Sequence, residues 1–327
     1  MKTILVTGAS GAIGQRLLLR LSMQSTGDVR VHAVSRRGLN SPPLPSTVQR
    51  IPSGVQWHAA DLLSKSSICE LIERVQPTHL YHLAWSASPG AFWTTPENVQ
   101  WMESSCFLMD EFRRTGGLRA VGVGSCAEYS WQDGGVLSES STPAVPFSLY
   151  GRSKLATGNY WAACSGVGQC SAAWARLFFM YGPGCHSSRF PGVVIDAVLN
   201  GRPARCSSGR QLRDYIYIDD VAQALIAIGE SSVQGPINLG TGMPTRVLDL
   251  ASRAAEMADG LHLFEPGAIP DHPENNPDSL LACIDRLRFE VGFRNFTPLE
   301  DGLVQMVDWW KRHRCQLDSL APAGISP

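Results

Sequence analysis

The sequence predicts an α/β fold in which a doubly wound parallel sheet carries helices on both faces. Over the first 180 residues, short apolar runs alternate with helical segments of about ten to twenty residues. Such alternation is typical of parallel strands joined by right-handed crossovers. A glycine-rich loop follows the first apolar run and opens the first helical segment. The predicted strands are 3–6, 29–34, 56–60, 79–84, 118–124 and 172–179.

Helical segments are recognised by the spacing of their apolar residues and by the signals at their ends. After the glycine loop, Ile13, Leu17, Leu18 and Leu21 mark the buried side of an amphipathic helix. The next helical segment ends just before Pro77, because the residue preceding a proline disfavours helical backbone. That segment is 64–75, and two later helices are predicted over 220–228 and 248–258.

The composition of the chain changes after residue 180, where predicted loops rich in Gly, Pro and Arg surround short predicted helices. We therefore predict a sheet domain over 1–180 and a smaller, mixed α/β C-terminal lobe over 181–317. Some strands and helices of this lobe are expected to return to the first domain. The segment 39–52, with four prolines, is predicted to be a surface loop, and residues 318–327 a flexible tail.

The composition argues against several classes of partner. With 44% hydrophobic and 17% charged residues, the 327-residue chain has the composition of an ordinary globular protein. The formal net charge is -1 and basic residues form no run, so we expect no nucleic acid partner. Apolar stretches fall short of the roughly 18 to 20 residues that span a bilayer, so we expect no membrane partner and a cytoplasmic location. The nine cysteines lack CxxC spacing, so neither a disulfide framework nor a metal site is expected.

The loop from Thr7 to Gly14 has the spacing of a dinucleotide-binding loop between a strand and a helix. Gly8 permits the tight turn, Gly11 lets the backbone approach a pyrophosphate, and Gly14 allows the helix to pack close to the sheet. The diphosphate is expected on the unpaired N–H groups at the start of the helix. The residues expected to bind the cofactor here are Gly8, Ser10, Gly11, Ala12 and Ile13.

The end of the second strand predicts which dinucleotide is bound. A carboxylate at this point accepts from a ribose 2′-hydroxyl, whereas arginine presents a fork of donors to a 2′-phosphate. Ser35, Arg36 and Arg37 stand here without an acidic residue, so NADP(H) is favoured over NAD. The alternative is that the two arginines are a solvated pair. By position, Asp61–Leu62 and Leu83–Ala84 are expected to bracket the adenine and its ribose.

Tyr150, Lys154 and Ser125 have the order and spacing of a site for carbonyl and alcohol chemistry on a nicotinamide cofactor. Tyr150 and Lys154 lie one helical turn apart and project from the same face. A tyrosine with its ordinary pKa of about 10 is a poor proton shuttle until a nearby cation, here Lys154, stabilises the phenolate. Tyr150 then exchanges a proton with the substrate oxygen during hydride transfer. Both residues are also expected to bind the cofactor, with Lys154 holding the nicotinamide ribose. Ser125 can orient that oxygen, although each residue taken singly also fits a structural role.

Together with three later motifs, these residues resemble the extended short-chain dehydrogenase/reductase family, within its group of nucleotide-sugar epimerases, dehydratases and reductases. The motifs are Tyr181-Gly182-Pro183, the segment 209–220 around Arg213-Asp214-Tyr215, and the run 238–242. The resemblance covers nearly the whole chain. It implies a Rossmann-like sheet domain, a nucleotide-sugar substrate and a homodimer formed by helices near 98–112 and 153–163. It also implies that Arg213 contacts a substrate phosphate, the alternative being an ion pair with Asp214 or Asp219.

The family spans several reactions that share the Ser, Tyr and Lys residues, and the residues after Ser125 help to choose among them. The 4,6-dehydratases carry an Asp-Glu pair there, whereas this chain has Cys126 and Ala127, so dehydration is not expected. The run 124–131 is similar to that of 4-keto-6-deoxysugar reductases. The resemblance therefore implies an NADPH-dependent 4-ketoreductase acting on a nucleotide-linked 4-keto-6-deoxy sugar. A 4-epimerase on the same scaffold is the first alternative.

Cys126 and His186 leave open a combined 3,5-epimerase and 4-reductase, which uses a Cys and a His beside the Ser, Tyr and Lys residues. A non-enzymatic dinucleotide sensor would keep the fold, but an intact Ser, Tyr and Lys set argues against it. Phe179 stands where many members of the family have an Asn that touches the substrate. The residues expected to contact the substrate are Cys126, Phe179, His186, Arg189 and Arg213.

Overall fold

The computed structural model of the protein describes residues 1–24, 28–38, 54–86, 91–166, 168–271 and 276–317. The predicted loop 39–52 and the predicted tail 318–327 lie outside the described residues. A large parallel sheet and a smaller mixed sheet organise the rest of the chain, which confirms the predicted fold class.

Seven parallel strands form the larger sheet. They are β1 (Lys2–Thr7), β2 (Val29–Ser35), β3 (Val55–Ala59), β4 (His79–His82), β5 (Arg119–Ser125), β7 (Ser171–Leu177) and β11 (Gly235–Leu239). Their order across the sheet is β3, β2, β1, β4, β5, β7, β11. The chain therefore starts inside the sheet and winds outward in both directions. The winding reverses between β1 and β4, where such sheets open a crevice at the carboxyl ends of the strands.

Helices cover both faces of this sheet. They are α1 (Ala12–Gln24), α2 (Lys65–Val75), α3 (Glu97–Arg114), α4 (Leu149–Cys164) and α6 (Ile218–Glu230). Apolar residues of α1 and α6 pack on one face, and those of α2, α3 and α4 pack on the other. Ser64 caps α2 by accepting the Ser67 N–H, and Gln76 ends it in the left-handed conformation, with φ 47°, just before Pro77.

The smaller lobe contains a mixed sheet and three helices. Its strands are β6 (Gly135–Leu137), β8 (Phe179–Tyr181), β10 (Leu212–Tyr217), β12 (Pro244–Arg246) and β14 (Ser279–Ala282), beside the separate pair β9 (Ala204–Arg205) and β13 (Phe264–Glu265). Its helices are α5 (Gly192–Leu199), α7 (Val247–Met257) and α8 (Leu299–Leu317). β10 is antiparallel to β12 and parallel to β8 and β14. Strand β11 of the larger sheet and helix α6, which covers that sheet, come from beyond residue 180. The domain boundary at residue 180 therefore stays a prediction.

None of the described helices is both long enough and apolar enough to cross a membrane. Short helical turns complete the described elements, at Cys126–Glu128, Leu261–Leu263 and Arg286–Glu290.

One predicted strand, 172–179, is in fact two strands. β7 ends at Leu177 in the larger sheet, and β8 begins at Phe179 in the smaller one. Between them, the Phe178 N–H donates to Leu239 O at 3.0 Å, and the Phe178 ring is buried among residues of the smaller lobe. The residues at the break, 177–181, are all apolar or aromatic, so they carry no periodicity that reveals it. The break directs the chain from the carboxyl end of β7 into the smaller lobe.

A buried histidine ties β1, β4 and α3 together beneath the glycine loop. The Nδ1 atom of His82 lies 2.8 Å from Thr7 Oγ1, and its Nε2 atom lies 2.8 Å from Ser105 Oγ. Burial lowers the pKa of His82 to about 3, with a further contribution from the Lys154 charge. The folded protein therefore keeps this ring neutral, whereas the unfolded chain protonates it below about pH 6.5.

We expect the free energy of unfolding to fall as the pH drops below about 6.5, because only the unfolded state then binds the His82 proton. Between about pH 6.5 and pH 5 this residue contributes a loss of about 2 kcal/mol. Urea denaturation across this range measures the loss. The pH dependence of His82→Gln should be weaker by that amount, and the exposed His262→Gln serves as the control. A pH dependence that survives His82→Gln unchanged contradicts this prediction.

Candidate active site

The glycine loop joins β1 to α1 under tight steric limits. Gly8 has a φ of 64°, and a Cβ atom there would stand 2.7 Å from Ala84 N. A Cβ atom at Gly14 would collide with Gly8 O, so α1 could not pack this close to the loop. The Gly11 N–H donates to Gly8 O at 3.0 Å, and α1 begins at the next residue, Ala12. The start of a helix therefore stands at the carboxyl edge of the sheet, as an anion site requires.

A groove of about 270 Å³ opens beside this loop. The predicted cofactor residues in its wall are Gly8, Ser10, Gly11, Ser35, Arg36, Leu62, Leu83 and Ala84. Ser35 donates its hydroxyl hydrogen to Gly38 O at 2.8 Å in the turn after β2. The wall also contains Trp85, Glu97 and Trp101, which sequence reasoning missed. A groove of this shape beside a helix start can hold an extended dinucleotide.

Six residues predicted to bind the cofactor are not in the groove wall. Tyr150 and Lys154 belong to α4, and their side chains contact Trp85, which is in that wall. Ala12 and Ile13 begin α1, and the Ile13 side chain packs against the core instead. The Asp61 carboxylate accepts the Leu63 N–H at 3.0 Å and shapes the turn after β3. Arg37 is exposed on the turn after β2. The backbone of Ala12 and Ile13 stands at the start of the helix that follows the loop.

Ser125 and Tyr150 line one pocket because two capped turns meet there. Ser125 is the last residue of β5, and its hydroxyl accepts the Ala127 N–H at 3.2 Å. Ser148 caps α4, since its hydroxyl accepts the Gly151 N–H at 3.1 Å. A Cβ atom at Gly151 would collide with Ala127 O, so glycine lets the start of α4 touch the turn after β5. This contact brings the Tyr150 and Ser125 side chains to the same pocket.

Burial sets the protonation states of Tyr150 and Lys154. Desolvation raises the pKa of Tyr150 to about 12, although the Ser125 hydroxyl and the Arg189 charge act to lower it. Desolvation lowers the pKa of Lys154 to about 7, although the Glu128 charge acts to raise it. At neutral pH the phenol is therefore protonated and the lysine is close to its midpoint. A tyrosine that holds its proton suits the role of an acid.

The Trp85 indole stands between the groove and the Tyr150 pocket. It lines the groove and meets the Tyr150 ring edge-on, with 6.4 Å between centroids. The Lys154 Nζ atom lies 3.9 Å from an indole centroid and donates to Val123 O at 2.8 Å. The lysine is thus held by a cation–π contact and a carbonyl. The signal that could have identified Trp85 is its place just after β4, at the carboxyl edge of the sheet.

The pocket beside Tyr150 is mainly aromatic. It encloses about 200 Å³, and its hydroxyl and charged groups come from Ser125, Tyr150, Arg189 and Tyr215. Its apolar and aromatic wall consists of Phe92, Trp93, Cys126, Ala127, Trp131, Leu177, Phe178, Phe179, Met180 and Phe190. Such a wall offers few hydrogen-bond partners, so it suits a substrate with an apolar substituent near the reacting carbon. Sequence reasoning missed the Phe92-Trp93 pair, whose place in the loop before α3 was the available signal.

Of the predicted substrate residues, some lie in the pocket wall and others lie outside it. Cys126, Phe179 and Arg189 lie in the pocket wall. Burial, the largest cause, raises the pKa of the Cys126 thiol to about 12. The structure does not bring His186 to this pocket: its ring is exposed, and its Nδ1 atom lies 2.9 Å from Ser188 Oγ. His186 as a substrate contact therefore stays a prediction, with its ring on an exposed loop outside the pocket wall.

Arg213 is buried at the end of the smaller sheet, beside the pocket. Its guanidinium donates to Leu212 O and to Asn276 Oδ1 and lies over the Phe179 ring, 5.7 Å from the centroid. The alternative of an ion pair is wrong for both carboxylates considered. The Asp214 carboxylate accepts from Thr241, Gly242 and Ala282, whereas Asp219 pairs with Arg16 at 3.2 Å.

Comparison with known proteins places this arrangement in a family. Residues 4–240 match the NAD dependent epimerase/dehydratase family. The UDP-glucose 4-epimerase of Mycolicibacterium smegmatis is 24% identical over 328 residues, which cover 94% of this chain and 98% of that protein. The structure of MoeE5 in complex with UDP-glucose and NAD has a TM-score of 0.76 and 28% identity, covering 95% of this chain and 99% of that one.

A UDP-glucose 4-epimerase from Thermotoga maritima, solved with UDP-glucose, has a TM-score of 0.82 at 21% identity and covers 95% of this chain and 99% of that one. This likeness concerns the fold. The family match spans most of the chain, and it includes the glycine loop, Ser125, Tyr150, Lys154 and Arg213. The chain therefore belongs to the NAD dependent epimerase/dehydratase family, which confirms the resemblance to the extended short-chain dehydrogenases/reductases.

Proposed function

We propose that this protein is an NADPH-dependent 4-ketoreductase that acts on a nucleotide-diphosphate 4-keto-6-deoxy sugar. The family supports an enzyme that uses a nicotinamide dinucleotide, and the likeness to MoeE5 with UDP-glucose supports a nucleotide sugar. The observation that carries the proposal is the pocket beside Tyr150, where a proton donor is surrounded by an aromatic wall. A carbonyl close to a methyl group fits such a wall better than a fully hydroxylated sugar.

Tyr150 is the acid of the proposed reaction. Its phenol is protonated at neutral pH, because burial raises its pKa to about 12. When bound, the dinucleotide supplies a hydride to carbon C4, and the carbonyl oxygen gains the negative charge. Tyr150 protonates that oxygen while Ser125 donates a hydrogen bond to it. The Lys154 ammonium stabilises the phenolate left behind, and the product is the C4 alcohol.

The turn after Ser125 disfavours two related reactions. A 4,6-dehydratase has an acid and a base at residues 126 and 127, which are Cys and Ala here. The Glu128 carboxylate is buried in hydrogen bonds to the protein interior. A combined 3,5-epimerase that uses a cysteine needs a thiolate, but burial raises the pKa of Cys126 to about 12, so the thiol stays protonated.

The cofactor in this proposal is NADP(H). Arg36 lines the groove at the end of β2, where Ser35 replaces the carboxylate that would bind a ribose 2′-hydroxyl. A guanidinium at this point can donate two parallel hydrogen bonds to a 2′-phosphate. The relatives favour a second candidate, a 4-epimerase that retains NAD, since one is named UDP-glucose 4-epimerase and another was solved with NAD.

The lobe over 181–317 is the main substrate-binding part of this proposal. Arg189 reaches the pocket from it, and the buried Arg213 guanidinium has a carbonyl and an amide as partners rather than a carboxylate. Among the described residues no carboxylate forms an ion pair with this cation, although the Asp278 charge acts on it, so an anionic ligand, here the diphosphate, is favoured.

The protein acts as a homodimer in this proposal, with α3 and α4 at the interface. These helices pack side by side and expose Val99 and Tyr160. The cytoplasmic location stays a prediction from the sequence.

The reaction is tested by incubating the protein with NADPH and a nucleoside diphosphate 4-keto-6-deoxyglucose. We expect one NADPH to be oxidised for each C4 alcohol formed, measured by absorbance and by chromatography of the sugar nucleotide. A parallel reaction with UDP-glucose tests the second candidate. Interconversion of UDP-glucose and UDP-galactose without net oxidation of cofactor, and no reduction of the keto sugar, would contradict the proposal.

Tyr150→Phe should lower kcat by about 10²- to 10⁴-fold, because the proton donor is lost while the ring is kept. NADPH binding should persist, which distinguishes an enzyme from a dinucleotide sensor that would keep its function. The control is Tyr160→Phe on the same helix, whose hydroxyl lies 2.7 Å from Asp110 Oδ1. Steady-state kinetics and NADPH titration measure both variants. Equal activity in the Tyr150 and Tyr160 variants would show that Tyr150 is not the acid.

Arg36→Ala should weaken the binding of NADPH about ten- to a hundredfold, since charge-assisted hydrogen bonds to the 2′-phosphate are lost. The binding of NADH should be almost unchanged. Arg37→Ala is the matched control, because Arg37 is exposed and lies outside the groove wall. Isothermal titration with both dinucleotides gives the affinities. Wild-type protein that prefers NADH, or an Arg36 variant that loses both dinucleotides equally, would refute the role of Arg36.

A further inference from the structure

Glu128 is a buried acid directly behind Ser125. Its side chain is 0% exposed, at the end of the short helical turn Cys126–Glu128 that follows β5. The carboxylate accepts three hydrogen bonds, from Ser125 N at 2.8 Å, Trp174 Nε1 at 2.9 Å and Arg176 Nε at 2.8 Å. It therefore faces the protein interior and is not part of the pocket wall.

Two glycines make room for this carboxylate and the indole beside it. A Cβ atom at Gly124 would collide with Glu128 Oε1 and with the Trp174 indole nitrogen. A Cβ atom at Gly158 of α4 would stand 2.7 Å from the Trp174 ring. Strands β5 and β7 and helix α4 thus enclose the acid at close-packed density. A carboxylate held this tightly fixes the groups that it binds.

The Ser125 hydroxyl is oriented by this arrangement. The Ser125 N–H donates to Glu128, and Ser125 Oγ accepts the Ala127 N–H, so both ends of the turn are fixed. A serine hydroxyl carries one hydrogen and two lone pairs. With one lone pair engaged by the backbone, the hydroxyl hydrogen can be donated into the pocket.

The same carboxylate favours the charged form of Lys154. The titratable and polar groups that face Glu128 are Arg176 and Trp174 from β7, Lys154 and Tyr150 from α4, and Cys126 and Tyr129 from its own turn. Arg176 forms the ion pair with Glu128 and lies over the Tyr129 ring, 4.5 Å from its centroid. The ion pair with Arg176 thus offsets the cost of burying the Glu128 carboxylate. The negative charge of Glu128 also attracts the Lys154 ammonium.

We infer that Glu128 is a positioning residue, which acts through Ser125 and Lys154 without touching the substrate. One hydrogen bond fixes the backbone of Ser125, and Coulomb attraction keeps a proton on Lys154. The role of Ser125 in this inference rests on the proposed function, which supplies the substrate oxygen to which Ser125 donates. The effect of Glu128 on Lys154 does not depend on the substrate.

The direct test is the titration of Lys154 in protein without substrate. The sequence has four lysines, Lys2, Lys65, Lys154 and Lys311, so ¹³C-labelled lysine gives few NMR signals. Lys154→Arg assigns the signal of interest by its disappearance. Glu128→Gln keeps the size of the side chain and removes its charge. We expect the Lys154 midpoint in this variant to move to lower pH than in wild type.

Turnover provides the second readout. Glu128→Gln should lower kcat about tenfold or more and leave KM within about twofold, because an interaction that supports the transition state is lost. The alkaline limb of kcat against pH should move to lower pH, since activity is lost as the pH rises through the pKa of Lys154. Asp220→Asn is the matched control: the buried Asp220 carboxylate also accepts a backbone N–H, from Thr297 at 2.7 Å, and it lies in α6, on the opposite face of the larger sheet from α4. It should leave both titrations unchanged.

If Glu128→Gln does not fold, the double variant Glu128→Gln, Arg176→Met removes both buried charges together, and the same shift of Lys154 is expected. An unchanged Lys154 midpoint, with a loss of kcat no larger than in the Asp220 control, would overturn the inference and leave Glu128 a structural residue. Because the NMR titration uses no substrate, its result stands even if the proposed reaction is wrong.

Discussion

The buried ammonium of Lys154 is the constraint on which the site depends. A lysine in an apolar interior loses its proton unless its neighbours favour the charged form. The Val123 carbonyl, the Trp85 ring and the Glu128 charge supply that support. In the proposed reaction, the phenolate of Tyr150 is stabilised by this ammonium. The packing of β5, β7 and α4 around the lysine therefore determines how readily the site moves a proton.

The topology brings these groups together from distant parts of the chain. Parallel strands end at a common edge, so the glycine loop after β1, Trp85 after β4 and Ser125 at the end of β5 become neighbours. Glycine then allows contacts that any side chain would prevent, at Gly14 between loop and helix and at Gly151 between α4 and the turn after β5. Backbone contacts of this kind fix positions more rigidly than side-chain contacts do, because few rotamers are involved.

The sequence predicted the parts of this site that depend on backbone position. Loop spacing, the alternation of strands and helices along the chain, and the helical interval between Tyr150 and Lys154 are local properties, and local patterns report them well. The directions of side chains were harder to predict. Glu128 turns inward because Trp174 and Arg176, about fifty residues later, offer donors there. Tertiary partners of this kind leave no mark in the local sequence.

The same limit explains the remaining differences. The break between β7 and β8 lies within the apolar and aromatic residues 177–181, so periodicity could not locate it. The ion pair considered for Arg213 failed because Asp214 is engaged by backbone donors from another loop. The aromatic wall around Tyr150 is assembled from segments more than fifty residues apart, including 92–93 and 178–179. Each case depends on contacts between elements distant in the chain.

Reduction of a keto group with a proton from Tyr150 is tested most directly by following the hydride. NADPH carrying deuterium at both positions of the reacting carbon of the nicotinamide is mixed with a nucleoside diphosphate 4-keto-6-deoxy sugar, and the product is analysed by mass spectrometry and NMR. We expect one deuterium bound at C4 of the product alcohol in wild type and almost none in Tyr150→Phe over the same time. A product without deuterium, or an undiminished yield from the Tyr150 variant, would contradict this expectation.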